Sequence, residues 1–162
     1  MDDDRLDHCP GASTGGRPKK SNPAAEALGR SRGGLTTKIH AVVDALGNPL
    51  RVQLTPGQWA DSPQALNLLE DLDSQAVIAD KAYDTNAIVK GLTAQGIQVV
   101  IPPKSSRLDQ RPYDENLYAD RNKIERFFNH LKGYRRVATR YDKTASSFLA
   151  FIHLACVLFC LR

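Results

Sequence analysis

The sequence predicts an α/β domain built on a mixed sheet flanked by helices. Three observations carry this. Residues 36–56 read as two β-branched, alternating runs separated by a turn. Residues 75–103 read as strand, helix, strand. The chain closes on two helical stretches, the second almost wholly apolar.

The elements follow in order. Residues 11–34 are rich in Gly, Pro, Ser and basic residues, so they predict a mobile arm with a short helical turn at AAEALG. TTKIHAVVD (36–44) alternates and is β-branched, and PLRVQLTP (49–56) returns after the turn ALGN, making a hairpin. Ser62-Pro63 caps a helix to about Glu70, because Pro fits the first helical turn. QAVIAD (75–80) is a short apolar run of the kind found in buried strands. Residues 84–95 form a helix that Gly96 stops, and IQVVIPP (97–103) is a second buried strand. A polar, basic loop covers 104–116, and the last helices span about 117–133 and 144–161. Strand, helix, strand over 75–103 is a right-handed parallel crossover, and ligands of such sheets sit at the carboxyl ends of strands. Asp80 ends the first of these strands.

Composition sets the class. The chain has 162 residues, 41% hydrophobic and 25% charged, which is enough for one domain with a core. The net charge of +4 is uneven. Residues 17–38 carry six Lys/Arg against one acid, 44–103 carry three against seven, and 104–143 carry eleven against six. Such asymmetry suits an anionic partner such as nucleic acid, or simply a solvated surface. Three cysteines cannot all pair, and Cys156 and Cys160 read as small core residues, which fits a reducing cytosol. No signal peptide is visible, and FLAFIHLACVLFCL (148–161) is too short to span a bilayer, so the sequence predicts no membrane partner and a buried core helix.

Residues 118–132, YADRNKIERFFNHLK, carry the densest chemistry. Tyr118, Arg121, Glu125 and Lys132 fall on one helical stripe, while Ile124, Phe127, Phe128 and Leu131 form a core face. Alone, this is an amphipathic helix with a solvated side. Paired with Asp80, it offers a second carboxylate for a divalent ion such as Mg²⁺ or Mn²⁺, which prefers hard oxygen ligands. Arg121 and Lys132 would then meet phosphates, and Tyr118 could hydrogen-bond one. Asp44 and Asp61 suit turn and cap roles, Trp59 a packing role, and His40 and His153 core positions. Lys104, Arg107, Arg135, Arg136 and Arg140 could hold a DNA backbone or be solvated.

GRSRGGLTTKIHAVVDALGNPL, LTPGQWAD, VIADKAYDT, RPYD and the Tyr118, Arg121, Glu125, Lys132 spacing resemble the DDE transposases of bacterial insertion sequences, insertion-sequence family five above all. The resemblance covers about 19–162. It implies an RNase H-like fold, divalent metal, and cut-and-join chemistry on transposon ends and target DNA. It implies that Asp80 and Glu125 are catalytic, metal-binding members of an acidic triad, with Tyr118, Arg121 and Lys132 as DNA-contacting signature residues. A cytoplasmic, nucleoid-associated protein follows, and a homo-oligomer is compatible with it.

In the family the first aspartate lies on the first strand, in a stretch resembling IDSTIVRAHQ ahead of the basic arm. Neither that stretch nor its strand is present in this frame. The opening MDDDRLDHCPGAST stands in its place. Codons exist for Asp4–Thr14 that, read one base later, spell IDSTIVRAHQ, with its aspartate split between the codons of Arg5 and Leu6. Residues 1–18 therefore read as an out-of-frame or disordered N-terminus, 19–35 as the basic arm, and 36–162 as a partial catalytic domain. On this reading the Asp2–Cys9 cluster is no metal site. The competing reading makes Asp2, Asp3 or Asp4 a substitute carboxylate. The implied function is that of a transposase fragment, inactive or weakly active alone, either a decayed remnant or the second frame of an element completed by an upstream-frame product. A same-fold nuclease and an inactive DNA-binding remnant that inhibits a full-length enzyme are the alternatives.

Overall fold

The computed structural model describes residues 24–31 and 34–161. The segment 1–18 and residues 19–23, 32 and 33 of the arm lie outside the described residues. Among the described residues, five strands and six α-helices follow one another: β1 (Gly29–Ser31), β2 (Gly34–Val43), β3 (Pro49–Pro56), α1 (Ser62–Leu69), β4 (Ala76–Ile78), α2 (Asn86–Ala94), β5 (Gln98–Val100), α3 (Glu115–Tyr118), α4 (Asn122–Lys132), α5 (Arg135–Ala138) and α6 (Ala145–Cys160). Short 3₁₀ turns at Lys81–Tyr83 and Ala119–Arg121 follow β4 and α3.

The predicted α/β class holds, but the described strands do not form one mixed sheet. β1, β2 and β3 make an antiparallel sheet in that order, and β4 and β5 make a separate parallel pair. The hairpin register runs from Thr37↔Pro56 to Val43↔Pro49, with an irregularity between Val42 and Val43. Its turn is closed by Asp44, whose carboxylate accepts from the Leu46 and Asn48 N–H groups at 2.8 Å, and by Gly47 at φ +94°. The Asp44 turn role is as the sequence predicts.

Two cores hold the layers. Phe127, Leu131, Val137, Phe148, Ile152, Ala155 and Cys156 form one between α4, α5 and α6, against which Ile39, Ala41, Val43, Val52 and Leu54 of the hairpin pack. Ala65, Ile88, Leu92 and Ile101 form the other, joined by Leu69, Val77, Ala79 and Val99. Helix α1 serves both sheets. Its Gln64 accepts from Gln53 of β3 at 3.1 Å, Arg51 reaches the carbonyls of Asn67, Leu68 and Glu70, and its apolar side covers β4–β5. Helix α1 therefore touches the hairpin and shares a core with the β4–β5 pair.

Several expectations are corrected. The described part of the arm is folded: Ala24–Ala27 makes a single turn, and β1 pairs with Gly34–Thr36. Arg140 holds it by donating to Thr37 Oγ1 at 2.6 Å and to the Ala27 carbonyl at 3.4 Å. Strands β4 and β5 are shorter than predicted. Pro102 and Pro103 have no N–H to extend the β5 ladder. The residues of β4 are half-buried instead of buried, because only one edge of β4 has a strand beside it among the described residues. Helix α6 buries Phe148, Ile152, Ala155 and Cys156 but exposes Leu154, Val157, Leu158 and Leu161, since it packs against one layer only. No helix of the described residues is long and apolar enough to cross a membrane.

Candidate active site

Asp80 follows β4 and opens the Lys81–Tyr83 turn with extended backbone at φ −69°, ψ 156°. Its carbonyl accepts the Tyr83 N–H at 2.9 Å, and its carboxylate is exposed and makes no hydrogen bond or ion pair among the described residues. It stands at the carboxyl end of a parallel strand, where open α/β sheets bind ligands. Burial pushes the nearby Tyr83 phenol up, and the charges of Asp61 and Asp80 add to that. Asp80 and Asp61 thus act on one ring.

The Tyr118–Lys132 run is helical throughout but not one α-helix. Asp114 caps α3 by accepting from Leu117 N–H at 3.0 Å, the path tightens into a 3₁₀ turn, and α4 follows. The stripe survives this change. Arg121 Nη2 pairs with Glu125 Oε1 at 2.8 Å, and the Arg121 guanidinium lies 5.6 Å from the centre of the Tyr118 ring. Tyr118 in turn meets Tyr113 edge-on at 5.5 Å. Glu125 is 53% exposed. Lys132 is exposed in the last turn of α4, about 10 Å along the helix from Glu125 at 1.5 Å per residue. Phe127 and Leu131 are buried and Ile124 and Phe128 half-buried, as the predicted core face requires. Helix α3 lies against β5, which sets the start of this run beside the parallel pair. No hydrogen bond or ion pair joins Asp80 to Glu125, and the described residues hold no group of three His, Cys, Asp or Glu placed for a metal ion.

A further residue, not singled out from the sequence, organises the loop beside Asp80. The Asp84 side chain is fully buried. Its carboxylate accepts from the Lys104 backbone N–H at 2.9 Å, from Arg107 Nε at 2.6 Å and from Arg111 Nη2 at 3.4 Å. Arg111 also donates to the Ile101 carbonyl at 3.0 Å. Burial alone would raise the Asp84 carboxyl. The Lys104 N–H, the Arg107 bond and the charges of Arg107 and Arg111 outweigh it and hold the group below the usual carboxylate range. The polar loop 104–111 is thereby clamped onto the turn that follows Asp80. The signal in the sequence was an aspartate four residues after Asp80 together with two arginines in a loop otherwise rich in Ser and Pro.

A family model described as a transposase DDE domain matches residues 7–160. The chain belongs to the DDE transposases of insertion sequences. It is 46% identical over 132 residues to a Brucella ovis protein named as a transposase for insertion sequence element IS6501, covering 79% of this chain and all of that protein. It is 30% identical over 158 residues to a Burkholderia cepacia protein named as a transposase for insertion sequence element IS402, covering 90% of this chain and 70% of that protein. No solved structure matches.

The remaining candidates of this DDE transposase chain separate by their contacts. His40 is the buried histidine expected, with Nε2 2.7 Å from Thr55 Oγ1. His153 is exposed instead, because it lies on the outer face of α6. Cys156 is buried and Cys160 exposed for the same reason. Asp61, and not Ser62, holds the N-cap position of α1, yet its side chain caps nothing and pairs with Lys38 Nζ at 2.9 Å. Trp59 is 47% exposed and so is not the packing residue predicted. Arg107 and Arg140 are structural, through Asp84 and the β1 turn. Arg136 pairs with Asp142 at 3.0 Å and stacks on Phe151.

Proposed function

We propose that this chain is the C-terminal part of a transposase catalytic domain with an RNase H-like fold that lacks its first strand, and that it acts in metal-dependent cleavage and strand transfer of DNA. The observation that carries the reading is the linked row Tyr118, Arg121, Glu125 on a run beside the parallel strands, with the uncommitted carboxylate of Asp80 at the end of β4. Among the described residues, β4 has a strand on one side only and β1 covers only the start of the free edge of β2, which supports the missing strand.

Asp80 and Glu125 are hard oxygen donors of the kind Mg²⁺ and Mn²⁺ prefer, and they would hold such an ion. When bound, such an ion would supply charge neutralisation at phosphorus and would lower the pKa of an attacking hydroxyl group. Asp80 needs no partner broken to bind. Glu125 is held in place by Arg121. Arg121 and Lys132 would position the phosphodiester, and the Tyr118 hydroxyl would donate to a phosphate oxygen. Two in-line displacements at phosphorus make the reaction, first by water at the transposon end and then by the freed 3′ hydroxyl on target DNA. DNA is the partner, with an upstream-frame product and a second copy as further ones, and the cytoplasmic nucleoid is the place of action.

The test is incubation of the chain with duplexes carrying its own element's ends and Mn²⁺, beside Asp80→Asn and Glu125→Gln. Joined products lost in both variants support the transposase. Nicked but never joined DNA favours a same-fold nuclease. Binding that survives both substitutions, without cleavage by the unaltered chain, favours a DNA-binding remnant. Sequencing the DNA that encodes residues 1–25 and its upstream region decides the frame question. A stopped or unrelated shifted frame removes it and makes Asp2, Asp3 and Asp4 the next residues to substitute.

A further inference from the structure

Trp59 is the only tryptophan of the chain, and it stands 47% exposed on the loop between β3 and α1. Tryptophan is a large ring that is highly buried on average. Pro56 and Gly57 before it are buried, whereas Gln58 and Ala60 beside it are exposed. The backbone beneath the ring is tied down. The Gly57 N–H donates to the Thr36 carbonyl of β2 at 3.1 Å, and the Trp59 N–H donates to the Pro56 carbonyl at 3.0 Å. Lys38 Nζ donates to the Trp59 carbonyl at 2.8 Å and to Asp61 Oδ1 at 2.9 Å. The loop lies so close to its neighbours that a Cβ at Gly57 would collide with Thr36, and one at Gly29 of β1 with Gln58 and Pro56. Among the described residues no other ring packs on the indole.

The loop borders the turn that carries Asp80. Asp61, two residues after Trp59, opens α1, and α1 touches the Lys81–Tyr83 turn. The charges of Asp61 and Asp80 both act on the Tyr83 ring. An isolated exposed apolar side chain is ordinary on a protein surface. Trp59 differs in that its backbone is fixed next to an exposed carboxylate at the end of a parallel strand. The fold has already ordered this segment, so little freedom is lost when a flat partner covers the ring. Nucleobases are such partners, because every base has a π-face. Inside a duplex both faces of a base are covered by its neighbours. At a strand end one face is open, and cutting DNA creates strand ends.

We propose that Trp59 is a stacking platform for the unpaired or terminal base of a DNA strand lying at the Asp80 end of β4. This deepens the transposase reading above and rests on it for the DNA. The indole covers the end base whatever its identity, so it fixes where the strand end lies without reading sequence. The Lys38 ammonium is engaged by the Trp59 carbonyl and by Asp61. The contact is therefore ring on ring and adds no phosphate pairing of its own.

Because the chain has a single tryptophan, its emission reports this one place. The experiment titrates the full chain, without metal, with short duplexes of one sequence. One is blunt, one carries an unpaired terminal base at the 3′ or the 5′ end, and one carries an abasic residue in place of that base. The last two have the same phosphates. The expected result is quenching of Trp59 emission by the unpaired base and little by its abasic match. The affinity should favour the unpaired base by at least about fivefold, the lower end of what one stacked base contributes. Trp59→Ala should remove that preference and Trp59→Phe keep part of it. The slope of log K against log salt should be the same for all three proteins, because no phosphate contact is lost. Equal quenching by the abasic duplex overturns the platform, as does a preference that persists in Trp59→Ala. The emission of the unaltered chain decides the matter even where a variant fails to fold. The enzymatic reading fails separately: base-dependent quenching with no Mn²⁺-dependent cleavage keeps the platform and rejects the transposase activity. Mn²⁺-dependent cleavage with base-independent emission does the reverse, and absence of DNA binding by the unaltered chain at low salt rejects both.

Discussion

Arg107 donates through Nε to the buried carboxylate of Asp84 at 2.6 Å, and this pair ties the loop after β5 to the turn that carries Asp80. The pair sits at the boundary between core and site. Arg107 keeps 24% of its side chain exposed, whereas Asp84 keeps none. Replacing Asp84 by Ala leaves two guanidinium groups and the Lys104 N–H facing a void. Breaking a buried ion pair from one side costs about 3–5 kcal/mol. Denaturant unfolding should show a loss in that range for Asp84→Ala and a smaller one for Asp84→Asn, which keeps an acceptor oxygen. A loss below about 1 kcal/mol would mean that the clamp is open in solution.

The same carboxylate sets an acid limit. Its folded pKa lies below the ordinary value of 3.8, so the stabilisation is complete above that value and is lost as pH falls through the folded one. Unfolding midpoints between pH 5 and 2 should fall for the unaltered chain and fall less for Asp84→Asn. Parallel curves for the two proteins would remove Asp84 as the cause.

His40 acts in a higher window. Burial lowers its pKa from 6.5, the Asp61 charge raises it and the Lys38 charge lowers it, with a net downward shift. The unfolded chain therefore takes up the proton first. Stability is full above about pH 6.5 and declines below it, by at most about 1.4 kcal/mol per pH unit, until the folded His40 protonates. His40→Gln retains a hydrogen-bonding group for Thr55 and should flatten the profile between pH 7 and 5. The two windows separate His40 from Asp84 in a single pH series.

Arg140 carries a fourth prediction. It donates to Thr37 Oγ1 and to the carbonyls of Ala27, Asp142 and Lys143, and it lies over Phe148. A hydrogen bond to a charged group contributes roughly 1.5–3 kcal/mol, so Arg140→Ala should cost about 2–3 kcal/mol. Exchange at β1 amides should accelerate while that of β4 and β5 stays unchanged. Equal acceleration everywhere would mean that Arg140 supports the whole fold and not the β1 turn.

What was legible in the sequence follows from range. The hairpin, α1, α2 and the Gly96 stop at φ +74° are written in local periodicity and turn chemistry, and they fall within a few residues of where they were expected. The Tyr118–Glu125 row was legible because helical spacing is local. Strand β1 was not, because its composition is that of a loop and its order comes from Arg140, more than a hundred residues away. The separation of the sheets was equally hidden, since pairing between distant strands leaves no periodic trace. Asp84 looked like one more polar residue near a turn, and only the return of Arg107 and Arg111 makes it a buried centre. Trp59 and the outer face of α6 misled in the opposite sense, because apolar residues predict burial even where no second layer covers them.

The last prediction separates the two cations of the stripe. Arg121 is engaged with Glu125 at 2.8 Å, while Lys132 lies about two turns further along the helix. If the stripe binds DNA as proposed, Arg121→Ala would remove a phosphate contact without metal and also uncover the Glu125 carboxylate beside the phosphates, so it should weaken binding more than Lys132→Ala does. The double variant Arg121→Ala with Glu125→Gln should recover much of that excess loss, because the repulsion is gone. Glu125→Gln should leave the Lys132→Ala defect as it is. Each lost phosphate contact should also reduce the slope of log K against log salt by about 0.9. Binding titrations at several salt concentrations measure all four proteins, and absence of recovery in the double variant would show that Arg121 and Glu125 do not act as a pair on DNA.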